Sequence, residues 1–248
     1  MGNPATEKDE ARLLVEYLED DTPMPTNRDL TFYERSIWRQ NIKFIAGLDE
    51  AGRGPLAGPV VAAVTIFLPF TEIRGIGDSK KFSPLRRNEL FELIKEKALD
   101  WGVGIVGERI IERINILEAT RLAMEKAIQS LKILPQFLLI DAVTLHNVGI
   151  PQKSIIKGDE KSLSIGAASI MAKVVRDMVM QKYHRLFPEY GFNENKGYPT
   201  RKHLNALKNH GPCQIHRRTY HPVQKLLKEE TEPSHTYSLL QKEWETGG

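Results

Sequence analysis

The chain has 248 residues, 41% hydrophobic and 27% charged, with a formal net charge of +3. Those values fit a globular chain of one large domain or two small ones and exclude a mainly disordered one. No apolar run approaches the roughly 18–20 residues of a membrane span, and the acidic first 30 residues do not read as a secretory leader. Cys213, the sole cysteine, excludes an internal disulfide and a multi-cysteine metal site. The expectation is a cytoplasmic, monomeric protein in a reducing compartment with no membrane association.

Charge is unevenly spread. Residues 1–30 hold eight acids and three bases, whereas residues 195–228 hold eight Lys or Arg, four His and no acid. The second block suits a polyanion such as nucleic acid, or is simply a solvated surface.

Three segments are expected: a helical extension at 1–40, a main domain at 41–228 and a polar tail at 229–248. In the extension, Leu14, Tyr17 and Leu18 form a weak helical stripe, and Leu30, Tyr33 and Ile37 suggest a second short helix. Strands are expected at Phe44 to Leu48, Pro59 to Leu68 and Trp101 to Gly107. Ser83-Pro84 is a cap followed by proline, opening a helix to about Leu99. Met124, Ala127, Ile128 and Leu131 mark an amphipathic helix. Phe137 to Ile140 and Lys153 to Lys157 read as further strands, and Leu163 to Leu186 as a long helix. In the tail, Tyr237, Leu239, Leu240 and Trp244 suit a short docking helix. The first three strands suit an antiparallel meander on short links, and the fourth, after a helical crossover, a parallel partner. The fold class is a mixed α/β sheet.

Four acids fall where strands end: Asp49 and Glu50 close the first, Asp141 follows the fourth and Asp159 the fifth. The rim of an open α/β sheet is where such folds carry their sites. Adjacent residues on a regular strand face opposite ways, so Asp49 and Glu50 share a site only if the strand bends or stops. The run Ala51-Gly52-Arg53-Gly54-Pro55 supplies that break. Oxygen donors without a cysteine cluster suit Mg²⁺ or Mn²⁺. Two such ions, about 3.5–4 Å apart, can clamp the oxygens of a phosphodiester displacement. Any one of these acids taken singly is better read as capping the next turn.

Other motifs carry less. Gly102-Val103-Gly104-Ile105-Val106-Gly107 matches GxGxxG, but the glycines alternate inside an expected strand rather than following one. Cys213, His216 and His221 offer a single thiol in an arginine-rich stretch, a weak zinc pattern. No GxSxG elbow is present.

Five blocks in order, GLDEAGRGPLAGPVVAA at 47–63, DSKKFS at 78–83, LLIDAVTL at 138–145, KGDEKSLSIGAASIMAKVVRD at 157–177 and YGFNENKGYPTRKHLNALKNHGP at 190–212, resemble the bacterial ribonuclease HII family. The resemblance runs from about Phe44 to Leu227, and the leader resembles an extension found in some members. It implies a ribonuclease H-like fold, a five-stranded mixed sheet flanked by helices with a helical C-terminal region. It further implies hydrolysis of the RNA strand of RNA/DNA hybrids and incision 5′ of ribonucleotides embedded in DNA, leaving 3′-hydroxyl and 5′-phosphate ends. The family's metal-binding acids map onto Asp49, Glu50, Asp141 and Asp159. Its backbone clamp on the ribose 2′-hydroxyl maps onto Gly52, Arg53 and Gly54, and its junction-sensing tyrosine onto Tyr198. A 2′-hydroxyl is what distinguishes RNA, and a glycine turn lets backbone approach it closely.

Ser169, Lys173 and Arg176 fall at i, i+4 and i+7 of the long helix. With Lys80, Lys81, Lys157 and Lys196 they are the expected phosphate contacts, the alternative being an exposed helix face with a Lys173–Asp177 pair. Two rivals remain at this point. One is a ribonuclease HIII-type nuclease, which the short leader and Asp159 disfavour. The other is a non-catalytic hybrid-binding protein, disfavoured because carboxylates facing phosphates gain a pure binder nothing. A replication clamp is a partner of some members, but no clamp-binding peptide stands out.

Overall fold

In the computed structural model, residues 29–77 and 82–231 are described, with side chains through residue 228. The stripe of Leu14, Tyr17 and Leu18, the pair Lys80 and Lys81, and the tail residues Tyr237 to Trp244 lie outside them.

A run of Val and Ala in the second predicted strand forms the fully buried middle of one half of the sheet. The five strands are β1 (Ile45–Ala51), β2 (Val60–Ile66), β3 (Asp100–Val106), β4 (Phe137–Asp141) and β5 (Gln152–Ile155), in the order β3-β2-β1-β4-β5. β1 and β3 pair antiparallel with β2, while β1–β4 and β4–β5 are parallel. The sheet is therefore mixed, as expected. The link from β2 to β3 is not short, because it contains the helix opened by Ser83.

Helix α1 is Phe32–Trp38, α2 is Pro84–Lys97, α3 is Glu108–Gln129 and α4 is Leu163–Leu186. The Ser83 hydroxyl accepts the Arg86 amide at 3.2 Å, the expected cap. α3 begins sixteen residues before the amphipathic pattern centred on Met124. It is interrupted at Asn115 (φ 66°), whose Oδ1 accepts the amides of Leu117 and Glu118 and restarts the helix. The alternating glycines of β3 serve packing: a Cβ at Gly104 would stand 1.9 Å from the Ala123 carbonyl oxygen of α3.

Two compact bodies are present. Among the described residues, one contains 29–53, 59–77 and 82–179; the other contains Gly54–Gly58 and 180–231. In the first, Leu90, Ile94, Ile170 and Met171 are buried with Ala63 on one side of the sheet. Ile37, Ile45, Phe137, Leu139 and Ile165 fill a second cluster. Each such side chain, fully buried, contributes about 1.5–3 kcal/mol. In the second body, α5 (Phe192–Asn195), α6 (Arg201–His210) and α7 (His221–Thr231) surround Tyr190, Phe192, Leu207, Ile215 and Val223, with Leu56 and Ala57.

Glu34 of α1 is buried at 2% exposure. Its Oε1 accepts the Ser162 hydroxyl (2.6 Å), the Ser164 hydroxyl (2.7 Å) and the Ser164 amide (3.0 Å). A carboxylate from another helix thus caps the start of α4, where the helix dipole favours negative charge. Burial raises its pKa, and the serine hydrogen bonds oppose that rise.

Candidate active site

β1 extends three residues beyond Leu48, so Asp49 and Glu50 close it from inside its last three residues. The cause is β2, whose ladder continues through Asp49↔Ala63, Glu50↔Ala62 and Ala51↔Val61. On the other side the parallel ladder with β4 stops at Leu48↔Ile140. The two acids therefore stand on the stretch of β1 that has outrun its parallel neighbour. Asp141 ends β4 at the same rim.

The acids feel one another. Asp49 is 5% exposed, and burial raises its carboxyl pKa well above the usual range, with the charges of Glu50 and Asp141 adding to the rise. Glu50 is raised by burial too; Arg53 opposes this and Asp141 reinforces it. Asp49 and Glu50, neighbours on the ladder with β2, take different contacts. Asp49 Oδ1 turns to accept the amide of Glu50 at 2.6 Å, and Glu50 Oε1 reaches Arg53 Nη1 at 3.4 Å. Glu50 Oε2 is buried with no hydrogen-bond partner.

Asp141 is fixed by the amide of Gly158, at 2.6 Å from Oδ1. Left-handed backbone at Ala142 (φ 49°) and Lys157 (φ 56°) turns the chain on both sides of that contact, a conformation costing about 1–3 kcal/mol per residue without glycine. Asp159 follows one residue later on a 3₁₀ turn, Gly158–Glu160, and is 5% exposed. Among the described residues no three His, Cys, Asp or Glu side chains are gathered closely enough to hold one ion as they stand. Asp49, Glu50 and Asp141 each take a different partner: a backbone amide, an arginine and another amide. The donor set nonetheless suits a hard divalent cation, being all oxygen, with repelling buried carboxylates and the orphaned Oε2 of Glu50.

The expected phosphate stripe on α4 is half-buried at Ser169 and Lys173 and buried at Arg176. Ser169 is half-buried and hydrogen-bonds the Asp49 carboxylate. Arg176 is 2% exposed, and its Nε donates to the Pro59 carbonyl at 3.0 Å. Lys173 is half-buried, and Asp177 Oδ2 lies 3.9 Å from Arg87 Nη2. Gly52 (φ +101°) packs on Arg176: a Cβ there would stand 2.2 Å from Nε.

In the second body, Tyr198 is 41% exposed, and its Cε1 lies 3.7 Å from where a Cβ of Gly54 would be. Lys196 turns Nζ to the Asn193 carbonyl at 2.6 Å. Three members of the basic block are not surface charges at all, since His203, His216 and Arg217 are at most 1% exposed. Arg217 was missed from the sequence. For His203 a signal existed, because His203, Ala206, Leu207 and His210 recur at helical spacing.

This strand order, with acids at the rim beside a parallel central pair, defines a ribonuclease H-like α/β enzyme. The family model of ribonuclease HII matches residues 46–223. A ribonuclease HII of Caldanaerobacter subterraneus subsp. tengcongensis is 52% identical over 200 residues, covering 81% of this chain and 82% of its own. One from Clostridioides difficile is 51% identical over 191 residues, covering 77% of this chain and 75% of its own. The chain belongs to the ribonuclease HII family and is a ribonuclease H. Among solved structures, ribonuclease H2 from Pyrococcus horikoshii OT3 superposes with a TM-score of 0.67 at 28% identity, over 77% of this chain and all of that one. The ribonuclease HII of a PCNA complex from Archaeoglobus fulgidus gives 0.60 at 27% identity, over 72% and 96%. A Bst ribonuclease HIII solved with Mn²⁺ shares the fold, with a TM-score of 0.61 at 16% identity over 76% of this chain and 70% of its own. No described helix is long and apolar enough to cross a membrane.

Proposed function

We propose that the enzyme, acting as a cytoplasmic monomer, hydrolyses the RNA strand of RNA/DNA hybrids and incises DNA 5′ of an embedded ribonucleotide. The observation that carries this reading is the mutual repulsion of Asp49, Glu50 and Asp141 in a buried rim, with one Glu50 oxygen unsatisfied. Asp49, Glu50, Asp141 and Asp159 are the residues that hold Mg²⁺ or Mn²⁺. Bound divalent ions supply charge compensation for the attacking and leaving oxygens of a phosphodiester. Water adds to phosphorus, the P–O3′ bond breaks, and the 3′-oxygen leaves as a hydroxyl opposite a 5′-phosphate.

The chain's own part is orientation. The Ser169 hydroxyl and the Glu50 amide aim Asp49, and the Gly158 amide aims Asp141. Arg53 neutralises Glu50 until substrate and cation arrive. The backbone of Gly52, Arg53 and Gly54 reads the 2′-hydroxyl, and the exposed face of Tyr198 stacks on the sugar at the RNA–DNA junction. Lys80, Lys173 and Lys196 contribute to phosphate binding.

A cleavage gel tests this, with a continuous hybrid and a duplex bearing one ribonucleotide, in Mg²⁺, in Mn²⁺ and in EDTA. Cutting of both substrates with either ion and none in EDTA is expected. Cutting in EDTA, or full activity of Asp141→Asn, overturns it.

A further inference from the structure

The buried imidazoles of His203 and His216 have no part in the chemistry above, yet their protons are dictated link by link. The amide of Cys213 lies 3.0 Å from His216 Nδ1. An amide only donates, so that nitrogen accepts. The Cys213 thiol, 3.1 Å from the same nitrogen, is kept protonated by burial, which pushes its pKa up to about 11. The His216 proton therefore sits on Nε2, which lies 3.0 Å from His203 Nε2. His203 must accept there and carries its own proton on Nδ1, 2.9 Å from the carbonyl of Tyr198.

One directional chain thus runs from Cys213 through two imidazoles to the backbone of Tyr198. A further proton anywhere in it would set N–H against N–H. Burial lowers the pKa of both rings, that of His216 to about 3. The rings are packed by aromatics: Tyr190 lies 4.8 Å from His216 and Phe192 5.4 Å from His203. The same elements hold the Gly54–Gly58 segment. His216 bridges Ala57, the Leu56 amide donates to the Gly197 carbonyl at 2.8 Å, and the Arg217 amide donates to the Leu56 carbonyl at 2.8 Å.

We propose that the His203–His216 pair is a positioning device that sets Tyr198 against Gly54, and thereby sets how strongly the enzyme favours a lone ribonucleotide over continuous RNA. The inference rests on the reading of Tyr198 as the junction contact. Positioning errors of an ångström carry large kinetic penalties, so loss of the donor to the Tyr198 carbonyl should appear as lost discrimination.

The test uses the full chain and compares kcat/KM on a single-ribonucleotide duplex with kcat/KM on a continuous hybrid. His203→Leu removes the donor at nearly constant volume. His203→Asn places an amide nitrogen where Nδ1 stood but severs the link to His216. His203→Leu should lower the ratio on the order of tenfold, and His203→Asn should restore it to within about threefold of the parent. Both should melt below the parent, so stability and discrimination part company. A folded His203→Leu with an unchanged ratio, or a ratio that follows melting temperature in both variants, overturns the proposal. Tyr198→Ala separates the two layers. If it leaves the ratio intact, the junction reading fails; if it collapses the ratio while His203→Leu does not, only the positioning role fails. Should His203→Leu not fold, His216→Leu against His216→Gln poses the same question, because the glutamine amide keeps a donor for His203 Nε2.

Discussion

The guanidinium of Arg217 grips the carbonyl of Gly58 with two nitrogens, Nε at 2.9 Å and Nη2 at 2.8 Å, while Nη1 lies 2.9 Å from the Tyr220 hydroxyl. Arg217 is fully buried, and its guanidinium carbon lies 5.1 Å from the centroid of the Tyr220 ring. A planar fork makes this bidentate hold, and an ammonium cannot reproduce it. Arg217→Lys should therefore lower the urea midpoint of the full chain, as the unfolding free energy falls by about 1.5–3 kcal/mol for each hydrogen bond to the charged group that is lost. An unchanged midpoint would show that the fork contributes nothing.

Asp49 offers a second test, with opposite effects on stability and activity. Its folded pKa lies above its unfolded value, so between the two the native state binds the extra proton and stability falls as pH rises. Without a cation, ionising this buried carboxyl burdens the fold. Asp49→Asn should melt higher than the parent in EDTA at pH 7.5, at about 2–4 °C per kcal/mol for a chain of this size. Cleavage should fall by about 10²-fold or more. A variant that melts lower and still cuts would contradict both halves.

Divalent cations should reverse the order of stability. If Mg²⁺ or Mn²⁺ binds the folded rim, an ion at a hundredfold over its dissociation constant stabilises the parent by about 2.7 kcal/mol. Asp141→Asn should lose most of that gain, with Ca²⁺-free melting curves in EDTA as the baseline. Equal cation-induced shifts in parent and variant would place ion binding elsewhere.

Acid should unfold the chain through its imidazoles as well as its carboxylates. His203 and His216 are held neutral below their ordinary range, so the unfolded state takes up more protons once pH falls below 6.5. Their contribution is full above pH 6.5 and is lost as pH falls toward about 3, where His216 protonates in the fold. The slope is about 1.4 kcal/mol per pH unit for each imidazole that titrates only when unfolded. His216→Gln should flatten the loss of urea midpoint between pH 6.5 and 4.5 relative to the parent. An identical pH profile would mean that His216 titrates alike in both states.

Much of this architecture was legible in the residues. Buried strands announced themselves through the Val and Ala run of β2 and the Phe137 to Ile140 run of β4, and Ser83-Pro84 marked the start of α2. The acids stood out as a set of four at strand ends, since any one of them alone reads as a cap of the next turn. What stayed hidden depends on contacts between distant segments. The end of β1 was misplaced because it is set by pairing with β2, not by the glycines that follow. Arg176 and Arg217 looked like surface charge because their acceptors are the carbonyls of Pro59 and Gly58, which side-chain chemistry does not reveal. Glu34 was invisible as a cap because the helix that it caps begins more than a hundred residues later.

The placement of β1 between β2 and β4 also bears on how the protein is made. β2 follows β1 after eight residues, whereas β4 leaves the ribosome more than eighty residues later, after the crossover through β3 and α3. A nascent chain can form the hairpin half early, but the parallel half must wait, since non-local pairing is entropically slow. Asp49 and Glu50 thus spend the interval without Asp141, so the rim is assembled only when the second half of the sheet has been synthesised.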